Sequence, residues 1–394
     1  MMPSEKRVNR MYNLIQIGYF GMVASFEGFR AAMVLDRGFS SGDAGIFMAL
    51  TNLAGLVAMP FLGSWADKHP EVPLKRLFAL MMVPALAINF LFYFTRPGWW
   101  GTALIFLLLG VLEFNSTPLL DSMAMQYLDV GVNVNYSLGR GLGAFSYAVV
   151  CAAVGWQTAR WGIQTALLTH GVLAVVMILL VVIFPELPKK AYVGAEKKTR
   201  SALEILRANI PYTVMLVACF FGMMSTMPTS SFLVNMITEQ GGNSGHLGLA
   251  MFLMAASELP GGIMFHKLRG KLGTEKILLM VLCFAIVKSV LFLCVDSLFL
   301  LLAVQPVQML CFGLFPAAIT YFTNENIPPE DRVQGQTLKT VITMGMGGMV
   351  GCLFAGKAID IGGTGLMLGL CAAFGAVGLL LGVYALRLGR RQRG

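Results

Sequence analysis

Long apolar stretches recur along the whole of this chain, and charged or turn-forming residues close each one. A helix of about 20 apolar residues crosses the hydrocarbon core of a bilayer. Only 12% of the residues are charged, against about 25% in soluble domains, so a water-soluble fold of this length could not solvate its own surface. The pattern therefore predicts an all-α membrane protein with twelve spanning helices. The predicted spans are residues 12–34, 43–65, 75–95, 100–126, 138–159, 163–184, 210–236, 245–268, 275–294, 297–323, 335–358 and 363–386.

The Lys and Arg residues predict the orientation of these spans. Outside the spans they lie almost entirely at the two chain ends and in alternate loops, and the other loops hold only Arg37, Arg96, Arg160 and Lys357. Cytoplasmic loops carry the excess of Lys and Arg, so we expect both termini on the cytoplasmic side, in a bacterial cytoplasmic membrane. The net charge of +9 does not indicate a nucleic-acid partner, because the basic residues form no single face or patch.

One long polar segment, residues 185–209, lies between the sixth and seventh predicted spans. It divides the chain into an N-terminal six-helix bundle, residues 1–184, and a C-terminal six-helix bundle, residues 210–394. A faint repeat supports a duplication, because Pro60 and Pro260 each precede a glycine and a basic loop. Duplicated halves of six helices are the architecture of major facilitator transporters.

Ionisable side chains within the predicted spans are the strongest functional signal. They are Glu27, Arg30, Glu113, Asp121, Arg140, Glu258 and Lys288. A charge at the bilayer centre costs about 2.5–3.5 kcal/mol on insertion scales. We therefore expect these side chains to face a shared, water-filled cavity and to pair with one another. Four are acidic and three are basic, so protonation of one carboxylate would balance the set, which favours proton coupling.

The loop after the second predicted span reads Gly63-Ser-Trp-Ala-Asp67-Lys68. It resembles the G-x-x-x-D-[RK] signature between spans two and three of the major facilitator superfamily. The resemblance implies the fold of that superfamily, with two six-helix pseudo-repeat bundles. It also implies that Gly63, Asp67 and Lys68 help to latch the two halves on the cytoplasmic side.

Five further motifs resemble the oligosaccharide:proton symporter, or lactose permease-like, branch of that superfamily. They are Asp43-Ala-Gly-Ile-Phe-Met-Ala, Pro118-Leu-Leu-Asp121, Tyr136-Ser-Leu-Gly-Arg140-Gly-Leu-Gly143, Ser257-Glu258-Leu-Pro and Ala355-Gly356-Lys-Ala-Ile-Asp360. The resemblance implies that Asp121 and Arg140 bind substrate as a pair, and that Tyr147 stacks on a sugar ring. It also implies that Glu258 contacts the sugar and takes part in proton coupling.

The chain departs from this branch at the residues that release the proton. Lys288 replaces the arginine of span nine, and Gln308 and Cys311 replace the histidine and glutamate of span ten. The Asp–Lys pair of spans seven and eleven has no counterpart, and Met344 lies near the lysine position. Proton coupling therefore cannot use the same residues.

The chemistry of the side chains separates their candidate roles. A guanidinium offers hydroxyl groups a planar fork of donors, and a carboxylate accepts from them, so Asp121 with Arg140 is the candidate substrate clamp. Glu258 with Lys288 is the leading candidate for proton coupling, and Asp121 is the next.

Four further residues each leave two interpretations open. Glu27 and Arg30 are spaced i,i+3, so they belong either to the substrate site or to a local helix pair. Glu113, eight residues before Asp121, lies on a similar helix face, so it either acts in the site or has a structural role as a helix pair or polar lining. For His170, a packed or hydrogen-bonded side chain is favoured over a proton relay.

Together these features predict a secondary active transporter, a proton-coupled symporter of a sugar or oligosaccharide that works by alternating access. We expect a small polar solute and protons as partners, a surrounding lipid bilayer, a monomer, no cofactor beyond the proton gradient, no metal and no enzymatic activity. The sequence contains no Walker motif, so we do not expect ATP to drive it directly. Symport of a nucleoside or aromatic acid, drug efflux by the same fold, and a non-transporting membrane sensor are the alternatives.

Overall fold

The computed structural model describes residues 4–69, 71–113, 116–186 and 201–393. Helices account for most of these residues. In the first half they are α1 Glu5–Glu27, α2 Arg30–Asp36, α3 Ser41–Lys68, α4 Leu74–Phe94, α5 Trp99–Glu113, α6 Ser116–Asp129, α7 Tyr136–Trp161 and α8 Thr165–Ile183. In the second half they are α9 Ala202–Ala208, α10 Ile210–Ser231, α11 Leu233–Glu239, α12 Ser244–Leu272, α13 Thr274–Leu293, α14 Leu298–Val304, α15 Phe315–Asn326, α16 Arg332–Lys339 and α17 Gly348–Arg393. Short 3-10 segments at Gln305–Val307 and Pro329–Asp331, and π-helical segments at Met309–Gly313 and Thr340–Gly347, lie between helices of the second half.

The helices account for all twelve predicted spans. Nine helical segments of the described chain are long and apolar enough to cross a membrane. One of them, Gln334–Arg391, holds two predicted spans, because non-helical backbone at Gly362 and Gly363 interrupts α17 between them. The first predicted span lies on α1 and α2, and the fourth lies on α5 and α6, on either side of residues 114–115. The predicted all-α membrane architecture is confirmed.

Two compact units divide the chain. The first consists of Met1–Phe39 and Leu50–Glu196, and the second of Ser40–Ala49 and Lys197–Gly394. The start of α3 therefore belongs to the second unit. The predicted bundle boundaries at residues 184 and 210 stay a prediction, because much of the segment between them lies outside the described residues.

In each unit the first long helix is interrupted at a buried phenylalanine. α1 gives way to α2 at Phe29 (φ −115°, ψ 3°), and α10 gives way to α11 at Phe232 (φ −105°, ψ 22°). The same sequence offset separates Gly38 from Gly241, which follow these helices and turn the chain with φ of 85° and 72°. Glycine adopts such a φ at no steric cost. The two units therefore share an internal repeat, and their interrupted helices occupy corresponding positions in it.

Glycine also sets how closely α10 and α17 approach within the second unit. A Cβ atom on Gly378 would lie 2.7 Å from the carbonyl oxygen of Ala218, and one on Gly351 would lie 2.8 Å from the Cα of Met224. Side chains at these positions would push the two helices apart. Small residues at helix contacts are the usual means of close association in lipid.

Asp360, in α17, caps the start of α3 within the second unit. Its Oδ2 accepts hydrogen bonds from Ser40 Oγ at 2.8 Å and from the backbone N–H of Gly42 at 3.0 Å. The first N–H groups of a helix have no partner within the helix, so a carboxylate from another helix satisfies one of them here. A negative charge is also favoured at a helix N-terminus.

We expect Asp360→Ala to destabilise the second unit by about 1 kcal/mol, the usual cost of losing a helix cap. Asp360→Asn should lose less, because its amide oxygen still accepts hydrogen bonds. Thermal unfolding of the purified protein in detergent, followed by far-ultraviolet circular dichroism, measures the change in Tm. Asp296→Ala, at an exposed loop position, is the control, and an equal Tm for Asp360→Ala and Asp296→Ala would contradict the capping role.

Candidate functional site

A group of polar and aromatic side chains from α1, α6 and α7 lies within the first unit, and we call it the clamp cluster: Tyr12, Phe20, Asp121, Tyr136 and Arg140. The Tyr136 side chain forms a hydrogen bond with the Asp121 carboxylate. The Tyr12 and Tyr136 rings stack with centroids 6.2 Å apart. The guanidinium carbon of Arg140 lies 4.8 Å from the centre of the Phe20 ring, a cation–π distance.

The two charged side chains of the clamp cluster are not fully hydrogen-bonded among the described residues. Asp121 Oδ1 and Arg140 Nη1 are both buried, and neither has a hydrogen-bond partner among the described residues. The ion pairs within 4.0 Å in this part of the chain do not include Asp121 with Arg140, although the Arg140 charge acts on Asp121 through space. Buried polar atoms are normally satisfied. A bound solute with hydroxyl groups would donate a hydrogen bond to Asp121 Oδ1 and accept one from Arg140 Nη1.

Tyr147 lies on α7, seven residues after Arg140, and is half-buried. Two helical turns separate positions seven apart, so both residues lie on a similar face of α7. Its side chain interacts with Cys151. The stacking role that the resemblance implies for Tyr147 stays a prediction.

The clamp cluster has polar neighbours on α1 that the sequence analysis missed. Gln16 Nε2 donates to the Tyr12 hydroxyl at 2.7 Å, and the Tyr19 hydroxyl lies 2.6 Å from Thr117 Oγ1 on α6. Gln16 Oε1 is buried without a partner among the described residues. Tyr12, Gln16 and Tyr19 recur at the spacing of one helix face, and this pattern within an apolar span was the available signal.

Glu27 and Arg30 lie at the interruption between α1 and α2. Arg30 Nη2 is 3.5 Å from Glu27 Oε1, and the side chains are 12% and 45% exposed respectively. The local pair therefore exists, and it links the last residue of α1 to the first residue of α2. A role in binding solute stays a prediction for both.

Glu113 and His170 form a second polar contact in the first unit, between α5 and α8. His170 Nε2 lies 3.1 Å from Glu113 Oε1, and Nδ1 lies 3.0 Å from the carbonyl oxygen of Met22 on α1. His170 is almost fully buried. The expectation of a hydrogen-bonded histidine agrees with this geometry, and its partner is one of the ionisable residues identified within the spans.

In the second unit, three side chains form a chain that we call the amide bridge: Lys288, Gln308 and Glu258. Lys288 Nζ donates to Gln308 Oε1 at 2.7 Å, and Gln308 Nε2 donates to Glu258 Oε1 at 3.3 Å. Only 1% of the Lys288 surface is exposed. Glu258 and Lys288 are thus connected through an amide and make no direct ion pair among the described residues.

Irregular helix geometry positions the amide bridge. Gln308 lies between the 3-10 segment Gln305–Val307 and the π-helical segment Met309–Gly313. A π-helical turn inserts extra residues and rotates the side chains that follow it, and such turns are frequent at functional sites. A Cβ atom on Gly313 would lie 3.2 Å from the Cα of Glu258, so glycine allows this segment to approach α12.

Comparison with known proteins identifies the fold family. The model of the MFS_1-like family matches residues 11–368. The chain belongs to this family of major facilitator transporters. It is therefore an integral, multi-pass membrane protein that transports a small solute, and the predicted major facilitator fold is confirmed.

Three transporters resemble this MFS_1-like protein over almost its whole length. Maltose permease of Geobacillus stearothermophilus is 25% identical over 389 residues, which cover 95% of this chain and 93% of that protein. The nucleoside transporter NupG superposes with a TM-score of 0.82 at 14% identity, covering 96% of this chain and 98% of NupG. A bacterial homologue of the human lysosomal transporter Spinster superposes with a TM-score of 0.69 at 14% identity, covering 98% and 96% of the two chains. The two structural likenesses concern the fold alone.

The predicted latch of this MFS_1-like transporter is described only in part. Gly63 lies on α3 and is exposed, with open space where a Cβ atom would be. The side chains of Asp67 and Lys68 lie outside the described residues. The latch therefore stays a prediction, as does the shared cavity for the ionisable residues.

Proposed function

We propose that this protein is a proton-coupled symporter of a sugar or oligosaccharide that works by alternating access. The observation that carries the proposal is the unsatisfied pair of buried atoms in the clamp cluster, Asp121 Oδ1 and Arg140 Nη1. Each sugar hydroxyl both donates and accepts hydrogen bonds, so one solute can satisfy the carboxylate and the guanidinium together. The likeness to a maltose permease supports the sugar class.

The aromatic members of the clamp cluster suit the same class of solute. Phe20 and Tyr136 lie beside the two charged residues, and Tyr147 follows two turns later on α7. Ligand sites commonly combine aromatic walls with a few polar groups that orient the ligand. A sugar ring offers one apolar face for such a wall and hydroxyl groups for the charges.

Glu258 is the proposed proton carrier in the second unit. A direct contact with an ammonium would hold a carboxylate in its charged form. In the amide bridge, Gln308 separates Glu258 from Lys288 while it remains hydrogen-bonded to both. The carboxyl group is therefore able to change its protonation state without breaking an ion pair. The driving force is the proton gradient, and we propose no further cofactor.

Symport of a nucleoside is the second candidate. The aromatic rings of the clamp cluster that suit a sugar also suit a stacked base, and NupG shares the fold. Symport of an aromatic acid and drug efflux have no observation of their own in their favour. We further propose a monomer with both termini in the cytoplasm, in a bacterial cytoplasmic membrane, that transports its solute without chemical change.

Uptake into proteoliposomes tests the proposed function. An inward proton gradient should make the purified protein accumulate radiolabelled maltose, and a protonophore should abolish the accumulation. Liposomes without protein are the control, and radiolabelled uridine is tested in parallel. Uptake of uridine alone would favour the nucleoside candidate, and uptake that is unaffected when the gradient collapses would refute proton coupling.

A further inference from the structure

Each ring nitrogen of His170 lies within hydrogen-bond distance of an oxygen atom. Nδ1 faces the carbonyl oxygen of Met22 at 3.0 Å, and Nε2 faces Glu113 Oε1 at 3.1 Å. A backbone carbonyl only accepts hydrogen bonds, so Nδ1 must carry a proton. The neutral ring then has a lone pair on Nε2, directed at the oxygen of Glu113.

The contact between Nε2 and Glu113 requires one more proton. Either a protonated Glu113 donates to Nε2, or a doubly protonated ring donates to the Glu113 carboxylate. Without that proton, a lone pair faces a carboxylate oxygen at 3.1 Å, and the two groups repel. The observed contact therefore requires one proton shared between His170 Nε2 and Glu113 Oε1.

The exposure of the two side chains gives the proton a route. The His170 side chain is 2% exposed and the Glu113 side chain is 15% exposed. The Phe26 ring covers the imidazole, with ring centroids 5.2 Å apart. A proton therefore reaches the pair from the Glu113 side and leaves by the same side.

The neighbouring helices present few other charges to this pair. α1 contributes Tyr19 and Glu27, and α2 contributes Arg30, whose partner is Glu27. On α7, the charge of Arg140 acts on Tyr19. α6 contributes the neutral Thr117, bonded to Tyr19, and α4 contributes the neutral Asn89, which donates to Leu167 on α8. Among these groups, Glu113 is the ionisable group that contacts the ring.

We propose that Glu113 and His170 form a proton-binding site that fastens α5 and α8 to the interrupted first span. Loss of the shared proton turns the attraction between α8 and α5 into a repulsion, at a ring whose Nδ1–H also bonds α8 to the carbonyl oxygen of Met22 on α1. The site lies in the first unit, apart from the amide bridge of the second. It rests on the proposed proton-coupled transport for its role, although its proton content can be measured without transport.

Nitrogen NMR of the ring tests the proton content. The chain has four histidines, and with ¹⁵N-labelled histidine the His170→Gln variant assigns the His170 signals. In the wild-type protein in detergent we expect a protonated Nδ1 between about pH 5 and 9, and an Nε2 signal shifted by the shared proton. Glu113→Gln should change the Nε2 signal, since an amide N–H then donates to it. An unprotonated Nδ1, or an Nε2 signal indifferent to Glu113→Gln, would overturn the site.

Transport by the same variants tests the role, with maltose or uridine as the probe according to which is taken up. Glu113→Gln and His170→Gln should reduce gradient-driven accumulation by about tenfold or more, a coupling effect within the usual range, while counterflow of labelled against unlabelled probe continues. Glu71→Gln and His69→Gln, near the end of α3, are the matched controls. Full accumulation by both site variants would overturn the role. If the wild-type protein itself ignores the gradient, the proposed function fails instead, and the NMR result alone then decides the site.

Discussion

Glu258→Gln is expected to reduce gradient-driven accumulation of solute by about a hundredfold, near the upper end of usual coupling effects, and to leave counterflow largely intact. Glutamine has the size of glutamate and still accepts a hydrogen bond from Gln308, but it cannot carry a proton at physiological pH. Accumulation ratios in proteoliposomes and counterflow of labelled solute separate the two effects. Equal loss of both would indicate a structural role for Glu258.

The buried ammonium of Lys288 provides an internal control for this variant. Glu258→Gln leaves Lys288, only 1% exposed, without a nearby carboxylate. The cost should be smaller than the about 3–5 kcal/mol for breaking a direct buried ion pair, because Gln308 separates the two groups. The single variant should therefore also have a lower Tm. Adding Lys288→Met should restore Tm and should not restore accumulation, because the proton carrier remains absent. Restored accumulation in the double variant would contradict the assignment of Glu258.

The spans were predictable because lipid leaves the backbone few choices. Every backbone polar group at bilayer depth needs an internal partner, so an apolar window of sufficient length becomes a helix. The interruptions at Phe29 and Phe232 were not predictable on this basis, because phenylalanine is compatible with both helix and turn. The wide apolar window of residues 335–358 likewise gave no sign of the π-helical segment Thr340–Gly347.

The charged residues of the candidate site were predictable from the sequence. A charged side chain in an apolar span is conspicuous, which is how Asp121, Arg140 and Glu258 were identified. Their contacts depend on how helices pack, and a sequence does not give that directly. Glu113 and His170 are 57 residues apart, and the position of Gln308 between Glu258 and Lys288 depends on a 3-10 and a π-helical turn that shift the face of the helix.

Asp121→Asn and Arg140→Gln should each weaken solute binding by about 10- to 150-fold, because hydrogen bonds to charged groups contribute about 1.5–3 kcal/mol. Arg140→Lys keeps the charge but loses the planar fork, so its loss should be intermediate. Equilibrium binding of radiolabelled maltose to the purified protein gives Kd for each variant. Asp296→Asn and Arg96→Gln remove the same charges at exposed loop positions and should leave Kd unchanged.

Because Asp121 and Arg140 would hold the same solute, their effects should not add. Residues that act on one ligand share its binding energy, so a double-mutant cycle should give a coupling of about 0.5–3 kcal/mol. The double variant is therefore expected to bind only slightly more weakly than the worse single variant. Tyr136→Phe, which removes the hydroxyl that bonds Asp121, should cost less than either. Additive losses would mean that Asp121 and Arg140 contact different parts of the solute independently. An unchanged Kd in both single variants would mean that the solute binds elsewhere in the protein.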